Sequence, residues 1–254
     1  MATSYDEYEE SLDLEQLFRK LGAPSPKTLA KTVEHFTTKE ADKRDKIVIG
    51  YFGQNGVDRI VDAIATRLLA SPRLPQNAKI LDVGAGSGFF TAKIMKSIQV
   101  DSPTTSFYAM DLTPAMLHSL AKKSQRIAPF IGMAENIQGS IKEAKKHFSI
   151  PTKFDAAYST LMLHHSLGPE SVFKSLRTIL KKNGKAIILD MCEHKFKEFK
   201  TEMGDIHLGF NLKNISEMAR KHFSTVRVEK MAGISCESSG RIAEIFIASM
   251  WNCS

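Results

Sequence analysis

The sequence predicts an α/β fold: a seven-stranded, mostly parallel sheet with helices on both faces, an antiparallel hairpin at its end and a helical cap in front. Three observations predict it. From residue 79 short β-rich runs alternate with helical stretches, the pattern of a parallel sheet assembled from strand-helix-strand units. The last two strand-like runs are separated only by MAGISCESSGR, too short for a parallel crossover, so they form an antiparallel hairpin. Ahead of the first core strand, residues 1–70 carry helical apolar spacings.

Strands are expected at 79–83 (KILDV), 106–111 (SFYAMD), 127–131 (IAPFI), 154–159 (FDAAYS), 185–190 (KAIILD), 224–230 (STVRVEK) and 242–249 (IAEIFIAS). Between the first five lie helical patterns at 88–98, 114–123, 135–148 and 169–181. In the leading segment Leu14, Leu17, Phe18 and Leu21 recur at i, i+3, i+4 and i+7, and Gly22 stops that helix. Ser25 before Pro26 offers an N-cap and a proline in the first turn, and Thr37 with Glu40 has capping-box spacing. A last helix at about 55–70 ends at SPRLPQNAK. The expected division is a helical cap at 1–70 and one catalytic domain at 71–254.

Composition narrows the class. With 254 residues, 43% hydrophobic and 25% charged, the chain has enough length for one substantial core. There is no run of about 18 uncharged apolar residues and no basic-then-apolar leader, so a soluble, cytoplasmic protein is expected. Cys192, Cys236 and Cys253 are widely spaced, which gives no disulfide framework and no metal motif, and no metal ligand is assigned. The net charge of +7 raises nucleic acid as a partner, but the lysines are scattered over expected helix surfaces without interleaved aromatics, which argues against it.

The decisive stretch is ILDVGAGSGFF, residues 80–90: a buried strand, a glycine turn, then a helix. A dinucleotide site wants a third glycine where Phe89 stands, so the turn is not a compact pyrophosphate cradle. Taken alone, it fits a tight structural turn or a different nucleotide-like ligand. Asp82 inside the first strand and Asp111 at the end of the second, 23 residues past Gly88, complete the pattern. Together with FYAMDLTPAML, FDAAYSTLMLHHS and LKKNGKAIILD, it resembles the class I S-adenosylmethionine-dependent methyltransferases, which have a Rossmann-like fold. The likeness covers residues 79–190 well and the terminal hairpin less specifically.

The resemblance implies S-adenosylmethionine as cofactor and S-adenosylhomocysteine as product. It implies that Asp111 receives the ribose hydroxyls, that Asp82 holds the methionine ammonium directly or through water, and that Gly84, Ala85, Gly86, Ser87 and Gly88 line its path. Leu112, Ser159 and Thr160 belong to neighbouring strand-end loops. The sequence departs from the family at Gly132-Met133-Ala134-Glu135, where Met133 takes the usual place of an acid. The Ala134 amide can still meet the adenine ring, Glu135 can replace the acid from one place along, and Met133 can stack on the ring. A second departure is the length of GSIKEAKKHFSIPTK, residues 139–153, read as an extra surface helix.

The methyl acceptor is less legible. Methyl transfer asks the protein to align donor and acceptor and exclude water, with a base only for a weakly acidic acceptor. Ser159-Thr160-Leu161-Met162 lacks the polar run of exocyclic-amine methylases and suggests an apolar wall. Leu163-His164-His165 and the stretch Asp205 to Asn211 are similar to small-molecule methyltransferases of the ubiquinone and menaquinone C-methylase kind, which implies a small, partly apolar acceptor. His164 and His165 are candidates for a base or for shaping the pocket, with packing or capping as the plain alternative. Tyr51 with Phe52 resembles an aromatic entry segment over the cofactor, against ordinary core packing. Cys192 and Cys236 are both expected on the cofactor side of the sheet. Two other functions stay open: a protein or RNA methyltransferase using the basic surface, and a cofactor-binding protein without turnover.

Overall fold

The computed structural model describes residues 5–34 and 38–252, so the capping box expected at Thr37 and Cys253 lie outside the described residues. Seven strands form one sheet: β1 Lys79–Val83, β2 Ser106–Asp111, β3 Ile127–Ile131, β4 Phe154–Thr160, β5 Leu180–Met191, β6 Thr225–Ser238 and β7 Arg241–Trp251. Their spatial order is β3-β2-β1-β4-β5-β7-β6, and β7 runs antiparallel to both β5 and β6 while the other pairings are parallel. All seven residues of β4 are buried, as a central strand covered on both faces requires. The direction of winding reverses between β1 and β4, which opens a crevice at their carboxyl ends.

Helices α1 (Tyr5–Glu10), α2 (Leu14–Leu21), α3 (Pro26–Glu34) and α4 (Thr38–Leu69) precede β1. Leu14, Leu17, Phe18 and Leu21 are all buried, Asp13 caps α2 by accepting from the Gln16 amide, and Gly22 ends it in the left-handed region. Gly53 interrupts α4 with φ 63°, ψ 165°, so the helix expected from about residue 55 is its second half. That half carries Val57, Ile60, Ile64 and Leu68, each fully buried. At roughly 1.5–3 kcal/mol per buried aliphatic side chain, this face is core rather than decoration. Its end is held by Lys185, whose buried Nζ donates to the carbonyls of Arg67, Leu68 and Ala70 at 3.2, 2.8 and 2.6 Å.

The sheet is flanked by α5 (Phe89–Asp101), α6 (Pro114–Lys123), α7 (Ile137–Ala144), α8 (Pro169–Ile179), α9 (Glu198–Glu202) and α10 (Leu212–Arg220). Two expectations change. The helix over 139–153 is not a surface addition: α7 stops at Ala144 and buries Ile137, Ser140, Ile141 and Ala144, because its apolar positions fall on one face. The stretch 231–241 is mostly strand, and the hairpin turns on Ser239 and Gly240, whose φ of 48° and 69° match the mirror-image turns that suit twisted strands. The register of β6 slips between Lys230 and Ser235, where the Arg59 guanidinium of α4 donates to the carbonyls of Ala232 (2.7 Å) and Gly233 (2.8 Å).

Candidate active site

The glycine turn joins β1 to α5. The Gly84 and Ala85 amides donate to the Met110 carbonyl of the neighbouring strand at 2.8 and 3.0 Å, which sets the turn's height above the sheet. Gly84 has φ 76°, and a Cβ there would lie 2.2 Å from Met162 Cγ. Gly86 is left-handed as well, at φ 54°, but a Cβ on it would meet nothing within 4 Å. Gly84 is therefore a packing requirement, while Gly86 leaves its backbone open to a ligand.

Asp111 accepts the Gly86 amide on Oδ2 (2.8 Å) and the Thr113 amide on Oδ1 (2.9 Å). It fixes the turn and lines the cavity at the end of β2, a carboxylate placed where ribose hydroxyls could reach it. Burial raises its pKa against the lowering effect of these amides. Asp82 lies deeper than expected: it is 2% exposed, accepts from Thr91 Oγ1 at 2.7 Å and is not among the cavity-lining residues. Burial pushes its pKa up to about 7. The Tyr158 hydroxyl lies beside it in the core and, with Thr91, works against that rise.

A cavity of about 330 Å³ opens over the ends of β1, β2 and β4. Gly84, Gly86, Asp111, Leu112, Ala134 and Glu135 line it as the sequence suggested, and Leu161 and Met162 supply the apolar wall. Glu135 Oε1 accepts from the Leu167 amide at 3.1 Å, so it reaches the corner where an acid was missing. Met133 does not: it is 5% exposed, packed in the core, and its amide donates to Ser140 Oγ, so ring stacking is set aside. Ala85, Gly88, Ser159 and Thr160 also fall outside the lining. Ser87 turns away from the cavity and ties the glycine turn to α4 by donating to Asp45 Oδ1 at 2.6 Å. Leu161 stands at φ 57°, a left-handed conformation costing roughly 1–2 kcal/mol for a side-chain-bearing residue, which marks the strand end as strained.

A smaller pocket adjoins the first and shares Arg44, Leu161, His165 and Met203 with it. Tyr51, Phe52, His164 and Cys236 complete its wall, so the aromatic pair beside the Gly53 break does face the site. Both histidines of the LHH run border this pocket, and their ring centroids are 4.0 Å apart. His164 Nδ1 lies 2.7 Å from Asp190 Oδ1, and its Nε2 lies 3.5 Å from Asp205 Oδ1. Burial lowers the His164 pKa, yet Asp190, by charge and hydrogen bond, and Asp205, by charge, outweigh it and raise it overall. Burial and the neighbouring His164 push His165 down to about 3, and its Nδ1 lies 3.2 Å from the Gly204 carbonyl.

Asp205 is fully buried, with no hydrogen bond to either carboxylate oxygen, and burial raises its pKa to about 6. Its loop is pinned by the amides of Ile206 and His207, which both donate to the His164 carbonyl. Although the sequence assigned no metal ligand, His164, His165 and Asp205 each offer a ligand atom within 4.8 Å of the others. Arg44 already brings a positive charge to this cluster. Burial pushes the Cys192 thiol up to about 11 and the Cys236 thiol up to about 12, and of these two only Cys236 reaches the pocket. The sequence reading missed Arg44, Asp190 and Met203 as site residues. Arg44 precedes Val48 and Tyr51 at helical i, i+4, i+7 spacing, the one signal that it shares their face.

Fold and site together define a class, that of S-adenosylmethionine-dependent methyltransferases. The family described as methyltransferase domain matches residues 74–234, more than half of the chain, and the chain belongs to it. A highly reducing polyketide synthase of Gibberella zeae is 24% identical over 153 residues, 59% of this chain and 6% of the synthase. The malonyl-[acyl-carrier protein] O-methyltransferase of Legionella pneumophila is 29% identical over 125 residues, 48% of this chain and 39% of that protein. The matched part is thus less than half of each relative's length. Among solved structures, a Haemonchus contortus phosphoethanolamine N-methyltransferase bound to S-adenosylhomocysteine superposes with TM-score 0.60 at 15% identity, covering 96% of this chain and 61% of that one. A methyltransferase complexed with the Haloferax volcanii Trm112 activator gives 0.58 at 13%, covering 84% and 96%.

The resemblance read from the sequence implies S-adenosylmethionine as the cofactor of this methyltransferase. The site's own geometry fits it: the Asp111 carboxylate at the end of β2, the uncrowded backbone of Gly86 and the apolar Leu161 and Met162 all line one cavity. No helix among the described residues is long and apolar enough to cross a membrane.

Proposed function

We propose that this methyltransferase acts on a small, partly apolar acceptor whose attacked atom carries a weakly acidic proton. One observation carries this reading: His164, on the wall of a small pocket of about 30 Å³ that adjoins the main cavity, is held through Nδ1 by Asp190. The carboxylate keeps the proton on Nδ1, leaving Nε2 to accept one, and Asp205 lies where it stabilises the imidazolium that results. A base of this kind serves an acceptor that cannot attack while protonated.

When bound, the cofactor supplies an electrophilic methyl group. Asp111 and the open backbone at Gly86 hold its nucleoside end, and Leu112, Ala134 and Glu135 line the adenine corner. Leu161 and Met162 exclude water from the path between donor and acceptor. His164 Nε2 takes the acceptor's proton, and Tyr51 and Phe52 enclose the acceptor side. Two relatives named for acyl chemistry make small acyl compounds the first acceptors to try.

The test is incubation with methyl-labelled S-adenosylmethionine and a cell extract separated into metabolite, protein and RNA fractions. Label in the metabolite fraction, lost in His164→Ala, is the expected result. Label in protein or RNA alone would sink the small-molecule reading, and cofactor binding with no S-adenosylhomocysteine released would leave a binding protein.

A further inference from the structure

His164 and His165 each hold a proton on Nδ1. Asp190 accepts the first at 2.7 Å, and the Gly204 carbonyl, which can only accept, takes the second at 3.2 Å. That leaves the lone pair on Nε2 in both rings. Opposite His164 stands Asp205, whose side chain is fully buried and whose two oxygens make no hydrogen bond among the described residues. Its Oδ1 lies 3.5 Å from His164 Nε2, longer than a good hydrogen bond. A buried carboxylate without donors is costly, and a cation between it and the imidazole removes the cost.

The spacing suits a metal ion. Two ligands at zinc's usual bond lengths, set at a tetrahedral angle, lie about 3.4 Å apart. One ligand atom from each of His164, His165 and Asp205 falls within 4.8 Å of the others. Both histidines also have the outer partner that metal-binding imidazoles use, a carboxylate on one Nδ1 and a backbone carbonyl on the other. Charge agrees: with neutral imidazoles, Asp190 and Asp205 bring two buried negative charges, and a divalent ion offsets both. Arg44 lines the same pocket but is only half-buried, so solvent screens its opposition. A second cluster among the described residues, Asp6, Glu9 and His118, lacks this preparation, because its imidazole is already paired with both carboxylates.

We propose that His164, His165 and Asp205 form a binding site for a divalent transition metal of the zinc class, with a fourth position open to the small pocket. Two imidazoles and one carboxylate suit zinc, and the pocket of about 30 Å³ beside them has room for one water. Ion and proton compete for the same lone pair on His164. The site stands whether or not His164 is the base. Its consequence, that zinc slows methyl transfer, rests on the reading of His164 as the base.

The test titrates zinc calorimetrically into the untagged full chain as wild type and variants. One-to-one binding is expected. D190N, which removes an outer partner, weakens it about ten- to a hundredfold, and D205N and H165Q, which remove ligands, weaken it more. R44Q tightens it and H118Q leaves it unchanged. The proposal is overturned if zinc shows no one-to-one binding, or if folded D205N and H165Q bind it as the wild type does. Should those variants fail to fold, zinc X-ray absorption of the wild type decides: two imidazoles around the ion support the site and fewer overturn it. S-adenosylhomocysteine release from a metabolite extract is then followed with and without zinc. Slower release, restored by a chelator, is expected. Zinc that binds without slowing release leaves the site standing and removes His164 as the base.

Discussion

His164 and Asp190 stand at the ends of adjacent parts of the sheet, 26 residues apart in sequence, and meet at 2.7 Å between Nδ1 and Oδ1. The same carboxylate accepts the His164 amide at 3.3 Å and the Met191 amide at 2.7 Å. Asp190 thus fixes both the backbone and the ring of His164. With three donors arranged around it, it is oriented before any substrate arrives.

Replacing Asp190 by Asn preserves shape and removes the charge that holds the tautomer. Turnover is expected to fall by about a hundred- to ten-thousandfold while S-adenosylhomocysteine affinity stays within about twofold. The pH profile separates this from a structural effect. A base must be neutral, so the wild-type rate rises with pH through the raised His164 pKa. In D190N burial prevails and the limb moves to lower pH. Stability has the opposite sense: the gain from charged His164 is complete below its unfolded pKa and is lost as pH rises through the folded one. A D190N profile with the limb unmoved would remove His164 from the chemistry.

Gly84 and Gly86 are both left-handed, but only Gly84 is crowded. Gly84→Ala is expected to cost about 2 kcal/mol or more, as overpacking against Met162 adds to backbone strain, whereas Gly86→Ala costs about 1 kcal/mol. Adding Met162→Ala should recover part of the first loss and none of the second, a coupling that denaturant midpoints of the double-mutant cycle measure directly. Equal losses for the two alanines would mean that Met162 is free to move.

The resemblance reading reached as far as backbone and order do. Residues 79–83, 106–111 and 127–131 are strands with the bounds expected, because each is a short apolar run closed by turn-forming residues, and the parallel pairing among β1 to β5 agrees with the strand-helix alternation. Side-chain direction was another matter. Asp82 and Met133 lie at motif positions, yet one sits beneath the glycine turn and the other in the core, since strand pleat and twist decide which face a residue meets. Asp190 ends a strand recognised from sequence, but its pairing with His164 needs the distance in space between β5 and the loop after β4. The turn at Ser239-Gly240 was legible in principle and obscured by an apparently loop-like stretch whose bulge at Gly233 is pinned by Arg59 from outside the hairpin.

Asp82 gives a pH signature in the cofactor-free protein. Its pKa is raised by burial from the ordinary 3.8 to about 7, so the native state holds the proton more tightly than the unfolded chain between those values. Stability from this group is therefore greatest in acid, declines as pH rises from about 4 to about 7 and is level above, a change on the order of 4 kcal/mol. Asp82→Asn mimics the protonated form and should lift the thermal midpoint at pH 8 relative to wild type while leaving it similar at pH 4. Parallel midpoint curves for the two proteins would show that Asp82 is ionised throughout.

The family match begins at residue 74, and residues 1–70 read from sequence as a helical cap, yet the second half of α4 is built into the core. Val57, Ile60, Ile64 and Leu68 are fully buried, Arg59 holds the β6 bulge, and Lys185 reaches out of β5 to cap the helix end. Removing α4 would expose these partners together and take from Lys185 the three carbonyls it donates to. Residues 71–254 alone are expected to show no cooperative thermal transition by circular dichroism. In the full chain, Lys185→Met should lower stability by about 1–3 kcal/mol, because the helix-end carbonyls lose their donor while the aliphatic packing is kept. The two measurements bear on different links: a cooperative transition in 71–254 at the midpoint of the full chain would make α4 a dispensable lid, and a silent Lys185→Met would show that water or the helix itself satisfies those carbonyls.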